Sequence, residues 1–251
     1  MVSILICTID AGIEKVPRVL MPPMGDVSYV VSMQYTDDRF LQLIPRVLEE
    51  REDVTVTTLE GRGLSRNRNN AIAHATGDVC VIADDDNRYE RRHIDAIVEA
   101  YEKMPDADII IFQAETLEGK PLHPYPADYV CSVEMTFRRG IGIRFDERFG
   151  LGSEHLCSGE EEVFLKDARD KGLSIRHVPK VIVATEGVTT GDTLVGNRKL
   201  QLSKGATFRH MFGMGNALWR SAKEAGWHMV HGGANPFPIF MNMCRGVFLY
   251  R

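Results

Sequence analysis

The sequence lacks the features that mark several common classes of protein. No stretch approaches the run of about 18 apolar residues that a transmembrane helix needs. The five cysteines are odd in number and form no CxxC pair, which predicts reduced thiols in a cytoplasmic protein rather than a disulfide scaffold. No basic region followed by a cleavage site opens the chain, so we expect no signal peptide. The formal net charge of −5 disfavours nucleic-acid binding, which requires clustered Lys and Arg.

The first half of the 251-residue chain alternates short apolar runs with helical patterns. Apolar runs without polar alternation are typical of strands that are buried on both faces of a parallel sheet. The order therefore predicts an α/β fold with a doubly wound, mostly parallel sheet flanked by helices. The predicted strands are Val2–Cys7, Tyr29–Met33, Val54–Leu59, Asp78–Ala83 and Asp108–Phe112, and the predicted helices between them are Arg39–Glu50, Ser65–Ala75 and His93–Met104.

After Phe112 the apolar pattern becomes less regular. Residues 115–128 and 185–205 are rich in Pro, Gly or Thr without periodicity, which is typical of loops, and we expect the second loop to be mobile. The apolar tail from Pro236 onward has no clear period. The remaining predicted elements are a strand at Tyr129–Phe137, a helix at Glu160–Lys171 that ends at Gly172, a strand at Val181–Ala184 and a helix at Ala206–Ala225.

Three consecutive aspartates, Asp84, Asp85 and Asp86, follow the predicted buried strand Asp78–Ala83. Ligands of open α/β sheets bind at the carboxyl ends of strands. Adjacent carboxylates repel one another by about 1 kcal/mol per close pair in water, and by more where water is excluded. A divalent cation such as Mg²⁺ or Mn²⁺ would offset this repulsion and could share its coordination sites with phosphates. The alternative is that the acids cap the following helix and stay solvated.

A glycine-containing loop with basic residues precedes the aspartates. Gly63 and Ser65 open a predicted helix, with Ser65 as its N-cap and Gly77 just beyond its C-terminus. The free N–H groups and the positive end of the helix dipole suit an anion such as a diphosphate. Arg66 and Arg68 would add positive charge, although two residues apart on a helix they cannot point the same way. The alternative is that one arginine pairs with the aspartates and the other is solvated.

A second acidic run, Glu160, Glu161 and Glu162, opens the helix predicted at Glu160–Lys171. Acids in a first helical turn are common and mildly stabilising, so a purely structural role is one interpretation. The functional interpretation is that one glutamate acts as a general base, which requires a carboxylate in a partly desolvated cleft. Because successive helical side chains diverge by about 100°, at most one or two of the three can face such a cleft.

Two tryptophans lie late in the chain. Trp219 and Trp227, with Phe208 nearby in sequence, make an apolar helix for which core packing is expected. An acceptor wall or a membrane-facing patch is the alternative interpretation. The tail Phe237–Tyr250 mixes aromatic residues and Met with Arg245, so peripheral contact of this tail with a membrane or a lipid-linked acceptor is a further hypothesis.

Taken in order, these segments resemble the family 2 glycosyltransferases of the GT-A fold. The opening VSILICTID is similar to that family's first strand, and GLSRNRNNAIAHA to its stretch with an Arg-Asn pair and a short helix. DVCVIADDDNRY resembles the strand that leads into its DxD motif. FDERFGLGSEHLCSGEEEVFLKDARDKG resembles its acceptor-side segment with a Glu-Asp type motif. The resemblance covers roughly residues 1–185.

The resemblance implies transfer of a sugar from a nucleotide donor, UDP-linked, to a saccharide or lipid-linked acceptor hydroxyl, with inversion at the anomeric carbon. It implies Mn²⁺ or Mg²⁺ as cofactor, with Asp84 and Asp86 as the acids of the DxD motif and as metal ligands. Asp84 and Asp85 would lie near the ribose of the nucleotide. Glu161 falls on the position of the general base, with Glu160 beside it.

Four further residues match positions toward the nucleotide. Arg66 falls on the basic residue that faces it, and Thr8 and Asp10 fall near the nucleobase pocket. Gln34 lies in the stretch where family members usually carry an acidic residue after the second strand, so the sequence departs from the family pattern there. The amide of Gln34 could hydrogen-bond the edge of a base.

The resemblance also implies how the chain is divided. We expect a core at residues 1–185, with a donor-binding half at 1–112 and an acceptor-side half at 113–185, followed at 186–251 by a mobile loop and a C-terminal helical extension. The implied partners are a sugar nucleotide and an acceptor, without nucleic acid, in the cytoplasm or at the inner face of the membrane. Two other functions stay open: a nucleotidyltransferase, which also pairs a nucleotide with acidic metal ligands, and a non-catalytic domain that binds nucleotide sugars.

Overall fold

The computed structural model describes residues 1–122, 130–186 and 194–250 of the chain. These residues group into two compact units. The first unit comprises Met1–Arg62, Arg66–Arg144 and Ala168–Gly187, and the second comprises Gly63–Ser65, Phe145–Asp167 and Val188–Arg251.

A seven-stranded sheet forms the centre of the first unit. Its strands are β1 (Val2–Ile9), β2 (Val27–Tyr35), β3 (Val54–Glu60), β4 (Val79–Asp84), β5 (Ile109–Thr116), β6 (Met135–Arg138) and β7 (Ile175–Thr185). Their order across the sheet is β3-β2-β1-β4-β6-β5-β7. β6 is antiparallel to both of its neighbours, whereas all the other neighbouring pairs are parallel.

Six α-helices and three short 3₁₀ segments are found in the described residues. The helices are α1 (Arg46–Glu50), α2 (Leu64–His74), α3 (Arg91–Lys103), α4 (Glu160–Asp170), α5 (Arg198–Gly232) and α6 (Pro236–Leu249), and the 3₁₀ segments are Asp10–Arg18, Asp38–Leu43 and Ser132–Glu134. α5 consists of two helical segments that meet at Gly213, which has a φ of 75°. Among the described residues, no helix combines the length and the apolar content that crossing a lipid bilayer requires.

The centre of the sheet is almost wholly apolar. β1 is buried from Val2 to Thr8, and β4 is buried from Val79 to Ala83. Burial on both faces of a strand is typical of a parallel sheet covered by helices. Because β1, β2 and β4 are parallel and adjacent, their carboxyl ends lie at one edge of the sheet. Asp84, the last residue of β4, places the aspartate cluster at this edge.

The predicted fold class is confirmed. The sheet is mixed but mostly parallel, helices flank it, and α5 and α6 supply the helical C-terminal region. The boundaries expected for the donor-binding and acceptor-side halves stay a prediction. The loop expected to be mobile at 185–205 falls partly on residues 187–193, and the loop at 115–128 partly on 123–129; both of these stretches lie outside the described residues.

The helix predicted at Arg39–Glu50 is wrong in its first part. A 3₁₀ segment occupies Asp38–Leu43, and α1 begins only at Arg46. Pro45 explains the break, because a proline disfavours helical geometry in the residue before it. Ile44 is accordingly extended, with φ −60° and ψ 116°.

The capping predicted for α2 is also wrong. The helix begins at Leu64, so Ser65 lies inside its first turn, where its hydroxyl donates to the carbonyl of Phe149 at 2.7 Å. Gly77 lies three residues beyond the end of α2 and does not have a positive φ. Its backbone N–H donates to Ser3 Oγ at 2.7 Å, and an added Cβ would collide with β1. Gly77 therefore leaves room for β1 rather than ending the helix.

In the second half of the chain, several elements differ from their predicted bounds. β7 begins at Ile175, although charged residues and Pro179 interrupt its apolar pattern, because it is an edge strand where proline is tolerated. α5 begins at Arg198, where the side chain of Asn197 accepts from Leu200 N. The apolar tail forms α6, capped by Asn235. The strand predicted at Tyr129–Phe137 is limited to β6, preceded by a 3₁₀ turn, and Tyr129 lies outside the described residues.

Two glycines allow close packing between the helices of the C-terminal region. A Cβ atom at Gly205 of α5 would collide with the backbone of Met243, and one at Gly246 of α6 would collide with the backbone of Leu202. Neither glycine has a positive φ, so the requirement is for space and not for an unusual backbone conformation.

Replacing Gly246 by alanine should therefore destabilise the protein, because the added methyl group meets backbone atoms that cannot rotate aside. Overpacking costs about 1–3 kcal/mol, and we expect urea denaturation to show a loss of this size. Gly215→Ala is the matched control in α5, since among the described residues nothing lies within 4 Å of its added Cβ. There alanine should raise the free energy of unfolding by up to about 1 kcal/mol. Similar effects of the two substitutions would contradict the close packing.

Candidate functional site

A buried asparagine fixes the turn that carries the three aspartates. Asn87 Oδ1 accepts from the backbone N–H of Asp84 at 2.9 Å, and Asn87 Nδ2 donates to Asp86 Oδ1 at 3.1 Å. The next helix, α3, begins at Arg91 with Glu90 as its N-cap. The aspartates therefore do not cap α3, and the interpretation of the cluster as a helix cap is wrong.

Arg88 ties the same turn to the edge strand β7. Its backbone N–H and C=O pair with those of Ala184 at 2.8 and 3.0 Å. Its Nη1 donates to the carbonyl oxygens of Asp86 and Asn87 at 3.2 and 2.7 Å. Glu186 follows β7 directly, and its charge acts on Asp86. The turn is thus held by its own asparagine and by a second strand.

Thr8 and Gly12 hold the side chain of Asp85. The hydroxyl of the buried Thr8 donates to Asp85 Oδ2 at 2.5 Å. A Cβ atom at Gly12 would collide with both of these oxygen atoms, so only glycine leaves the carboxylate room. Asp85 is thereby fixed against the segment that follows β1.

The half-buried carboxyl group of Asp86 has a pKa raised above its ordinary value. Burial is the largest cause, and the charges of Asp85 and Glu186 add to it, while Lys15 opposes them. A raised carboxyl pKa means that the surroundings disfavour the charged form. A bound cation reverses this balance, since its charge stabilises the carboxylate.

Two groups of opposite charge act on the buried thiol of Cys7. Cys7 lies opposite Asp84 in the register of β1 and β4. Burial raises the pKa of Cys7 to about 12, while Arg68 acts to lower it and Asp84 to raise it. Arg68 is buried, and its Nη2 donates to Ser132 Oγ at 2.7 Å. Its guanidinium group is therefore a fixed positive charge near the carboxyl end of β4.

Arg66 lies elsewhere on α2. Its Nη1 donates to the carbonyl oxygen of Glu60 at 2.8 Å, and its side chain is half-buried. The prediction that Arg66 and Arg68 point in different directions is confirmed. Arg66 keeps part of its surface open to a ligand, whereas Arg68 does not.

Two of the three residues predicted on the nucleobase side, Asp10 and Gln34, lie near the end of β2. Asp10 accepts from the backbone N–H of Thr36 at 2.8 Å and from its hydroxyl at 3.0 Å, and has a positive φ of 51°. Gln34 is buried, and among the described residues its Nε2 has no hydrogen-bond partner. A buried amide nitrogen without a partner is uncommon, so Gln34 has a donor available for a ligand.

Sequence reasoning missed a layer of polar residues beneath the aspartates. Asn67 of α2 accepts from Ser32 Oγ at 2.6 Å and donates to the carbonyl oxygen of Thr8 at 3.0 Å. Asn70 donates to the same serine at 2.8 Å. Asn67 thus fixes the backbone of Thr8, whose hydroxyl holds Asp85. The available signal was Ser32 itself, a hydroxyl group within an otherwise apolar predicted strand.

The aspartate turn offers oxygen ligands of the kind that Mg²⁺ and Mn²⁺ prefer. Within the described ranges, no group of three or more His, Cys, Asp or Glu residues is arranged around a common metal position. Phosphate-handling Mg²⁺ sites, however, use one or two carboxylates and complete the coordination with water and phosphate oxygens. Asp86, with its raised pKa, and Asp84 fit such a partial set of ligands.

The three glutamates occupy the first turn of α4, in the second unit. Glu160 is buried, while Glu161 and Glu162 are half-buried. A Cβ atom at Gly150, which has a φ of 99°, would lie 3.3 Å from the carboxyl group of Glu160. Burial is the largest cause of the raised pKa of Glu162, and Lys204 opposes it. Glu161 and Glu162 both meet the requirement of a partly desolvated carboxylate.

The second unit also contains a cavity of about 380 Å³. The guanidinium of Arg148 lies 4.1 Å from the ring centre of Tyr250, and its Nη2 donates to the tyrosine hydroxyl at 2.8 Å. His210 links that hydroxyl, at 2.7 Å, to Asp167, also at 2.7 Å. A concave surface with an aromatic ring and a few fixed polar groups is typical of a ligand pocket. Its lining residues are Asp146, Glu147, Arg148, Glu154, His155, Leu156, Leu249 and Tyr250.

A comparison with known families identifies the class of protein. Residues 25–169, more than half of the chain, match the family described as Glycosyl transferase family 2. The chain belongs to this family. The family predicted from the sequence is thus confirmed, and the protein is a glycosyltransferase with a GT-A fold.

Relatives of this family 2 glycosyltransferase include one curated enzyme. The glucosyl-dolichyl phosphate glucuronosyltransferase of Haloferax volcanii is 30% identical over 223 residues, which cover 80% of this chain and 68% of that protein.

Two solved structures share the fold. S. aureus TarS 1–349 in complex with UDP-GlcNAc has a TM-score of 0.60 and 15% identity, covering 96% of this chain and 79% of that chain. The mannosyltransferase PcManGT from Pyrobaculum calidifontis, in complex with GDP-Man and Mn²⁺, has a TM-score of 0.54 and 17% identity. The match covers 98% of this chain and 69% of that chain. At these identities the likeness supports the fold.

The structure brings some of the predicted site residues into contact. Thr8 and Asp85 share a hydrogen bond, and Asp84 and Asp86 share the same turn. Asp10 and Gln34 lie near the end of the neighbouring strand β2 and Arg66 lies on α2, all in the first unit. Glu160 and Glu161 belong to the second unit. The functional roles of all these residues stay predictions.

The hydrogen bond from Thr8 to Asp85 can be tested by an isosteric substitution. Thr8→Val keeps the volume but removes the donor, so a half-buried carboxylate loses its hydrogen bond. Hydrogen bonds to charged groups contribute about 1.5–3 kcal/mol, and we expect urea denaturation to show a loss in this range. Thr55→Val, at an exposed position of β3, should change the free energy of unfolding by less than about 0.5 kcal/mol. A Thr8→Val protein as stable as the control variant would argue against the contact.

Proposed function

We propose that the protein transfers a sugar from a UDP-linked donor to a hydroxyl group of a saccharide or lipid-linked acceptor, with inversion at the anomeric carbon and with Mn²⁺ or Mg²⁺ as cofactor. The observation that carries this proposal is the turn Asp84–Asp86, in which burial and two neighbouring carboxylates raise the pKa of Asp86. A bound divalent cation would offset this negative charge and could share its remaining coordination sites with a diphosphate.

The ligands bound in two structures that share the fold support a nucleotide sugar and a metal. TarS is in complex with UDP-GlcNAc, and PcManGT is in complex with GDP-Man and Mn²⁺. The two relatives differ in nucleobase, so uridine is proposed from the sequence resemblance. The free Nε2 donor of Gln34, near the end of β2, suits a carbonyl oxygen on the edge of a base. Thr8 and Asp10 are proposed to lie beside the same nucleobase.

The donor diphosphate is proposed to lie at the carboxyl ends of β1 and β4. Asp84 and Asp86 would hold the metal, with Asp84 and Asp85 near the ribose. When bound, the metal would stabilise the negative charge that develops on the departing diphosphate. Arg66, whose side chain is half-buried, would face the nucleotide and contribute a second positive charge.

Glu161 is proposed as the general base, with Glu160 beside it. The acceptor hydroxyl oxygen forms a bond to the anomeric carbon as its proton passes to a carboxylate oxygen of Glu161. The bond from that carbon to the diphosphate oxygen breaks, and the nucleoside diphosphate leaves with the electron pair. Attack from the side opposite the leaving group inverts the anomeric centre. The cavity at Arg148 and Tyr250 is a candidate surface for an acceptor sugar.

The role of Asp86 predicts opposite effects on the free and the liganded protein. Asp86→Asn removes a carboxylate whose charged form is disfavoured, so the melting temperature without ligand should stay the same or rise. The stabilisation of the wild type by Mn²⁺ with a sugar nucleotide should be largely lost. A ligand at one hundred times its Kd adds about 2.7 kcal/mol to the free energy of unfolding, which thermal denaturation detects readily.

The donor panel for this experiment contains UDP-glucose, UDP-GlcNAc, UDP-glucuronate and GDP-mannose, each with and without Mn²⁺. The exposed Glu52→Gln is the charge-matched control and should respond to ligand as the wild type does. If Asp86→Asn kept the full Mn²⁺-dependent stabilisation, the aspartate turn would not be the metal site.

The role of Glu161 predicts a loss of turnover without a loss of donor binding. Glu161→Gln should lower kcat about 10²–10⁴-fold, while its donor-induced thermal stabilisation stays close to that of the wild type. The assay follows release of UDP or GDP from the donor that the panel identifies, first with water and then with saccharide acceptors. Glu162→Gln, the next residue of the same helix turn, is the matched control and should retain most activity.

The same variants separate the proposed reaction from the alternatives. Loss of activity in Glu162→Gln but not in Glu161→Gln would transfer the role of base to Glu162. Full activity of both variants would contradict a base in this turn. A wild-type protein that binds donor and metal but releases no nucleotide with any acceptor would be a non-catalytic binding domain.

A further inference from the structure

We propose that the outer face of the second helical segment of α5 docks onto an anionic lipid surface. This docking face consists of Trp219, Arg220, Lys223, Trp227 and Val230. It lies in the C-terminal helical region and contains none of the residues for which a role in sugar transfer is proposed. The inference does not depend on the identity of the donor or the acceptor.

The expected core packing of the two tryptophans is wrong. Trp219 is 61% exposed and Trp227 is 54% exposed, and Val230 is 73% exposed. The residues that α5 buries along this segment are instead small, Ala217, Ser221 and Ala225.

The spacing of these residues shows that this segment buries its small residues and exposes its large apolar residues, which is the reverse of an ordinary surface helix. At about 100° per residue, Ala217, Ser221 and Ala225 form one stripe, and Trp219, Lys223 and Val230 lie on the opposite side. A surface helix of a soluble domain places its large apolar residues toward the core. Here the large apolar side chains face outward, which marks a surface that binds something.

The charge around the exposed aromatic residues favours an anionic partner. Lys223 Nζ lies 5.7 Å from the ring centre of Trp219. The guanidinium of Arg220 lies 3.8 Å from the ring centre of Phe212. Tryptophan beside Lys or Arg is the combination that settles in the interfacial layer of a bilayer, where the ring is partly buried and the cation meets phosphate groups.

The charge of the whole segment supports the same partner. Residues 198–251 contain eight Lys or Arg and one acidic residue, Glu224, a formal net charge of +7 in a chain whose total is −5. Basic residues near an anionic leaflet each strengthen membrane binding. A second copy of this chain is a poorer occupant, since a symmetric dimer would bring two basic faces together.

A small cavity of about 160 Å³ opens within the docking face. It is lined by Arg220, Lys223 and Trp227, with Glu224 and Phe208 completing the wall. Two cations around a cavity of this size suit a phosphate headgroup.

This segment is a stronger candidate for membrane contact than the tail Phe237–Tyr250, where Phe237 and Phe248 are exposed but Arg245 is the one cation among the described residues.

The experiment uses the full chain and vesicles, with the protein's own fluorescence as the readout. The chain has two tryptophans, and both lie on the docking face. On addition of phosphatidylcholine vesicles with roughly one-third phosphatidylglycerol, tryptophan emission should shift to shorter wavelength and become less accessible to acrylamide. Co-sedimentation should show the protein bound. Pure phosphatidylcholine vesicles should bind it at least tenfold more weakly.

Charge and aromatic variants test the two parts of the surface separately. Arg220→Gln/Lys223→Gln should weaken binding to anionic vesicles at least tenfold, since each cation contributes about a fivefold gain. Trp219→Ser/Trp227→Ser, followed by co-sedimentation, should weaken it at least tenfold too. Raising salt from about 0.1 M to 1 M shortens the Debye length from about 10 Å to about 3 Å and should release the wild type. Melting temperatures near that of the wild type exclude unfolding.

Matched controls come from exposed positions on the first unit. Arg46→Gln/Lys120→Gln removes two cations, and Val47→Ser removes an exposed apolar side chain; both should bind within twofold of the wild type. Unchanged tryptophan emission and no co-sedimentation of the wild type would overturn the proposal. So would equal losses in the controls, or shielded tryptophans in lipid-free protein that self-associates, which would make a second copy the occupant.

Discussion

Repulsion among carboxylates is the constraint on which the architecture around Asp84–Asp86 depends. β4 is buried up to its last residue, Asp84, which is the first of three consecutive aspartates. All three are half-buried, so water is partly excluded around them. Such a turn is stable only if its backbone is fixed and positive charge lies within reach. Asn87 and Arg88 fix the backbone, and the buried Arg68, whose charge acts on Cys7 of β1, supplies a permanent positive charge. What these contacts leave unbalanced, at Asp86, is the part of the site that a ligand would complete.

The fold could be predicted from the sequence because its central strands are buried on both faces. A strand such as β1 has no solvent face, so its apolar run is continuous and easily recognised. The edge strand β7 shows the opposite case. Four of its eleven residues are exposed, charged residues and Pro179 interrupt it, and its sequence resembles a loop until its pairing with β5 is known. The break before α1 was predictable from Pro45, but the amphipathic pattern around it suggested one helix.

Sequence points to candidate site residues where several charged side chains are adjacent, and not where a cluster is assembled from residues that are distant in sequence. The aspartate and glutamate runs stand out in the sequence. Asn67 does not, because its importance comes from linking α2 to β1 and β2 through Thr8 and Ser32. Residues of this kind are identified only by their partners. The same reasoning separates Arg68 from Arg66: neighbours in sequence, they differ in burial because a helix turns by about 100° per residue.

The net charge of the whole chain does not show how unevenly charge is distributed along the sequence. Residues 1–197 carry a formal net charge of −12, while residues 198–251 carry +7. The acidic portion contains every carboxylate to which a role in donor binding or proton transfer is assigned, and the basic portion contains the exposed tryptophans. An anionic surface would attract the C-terminal helices, because each basic residue close to such a surface strengthens binding.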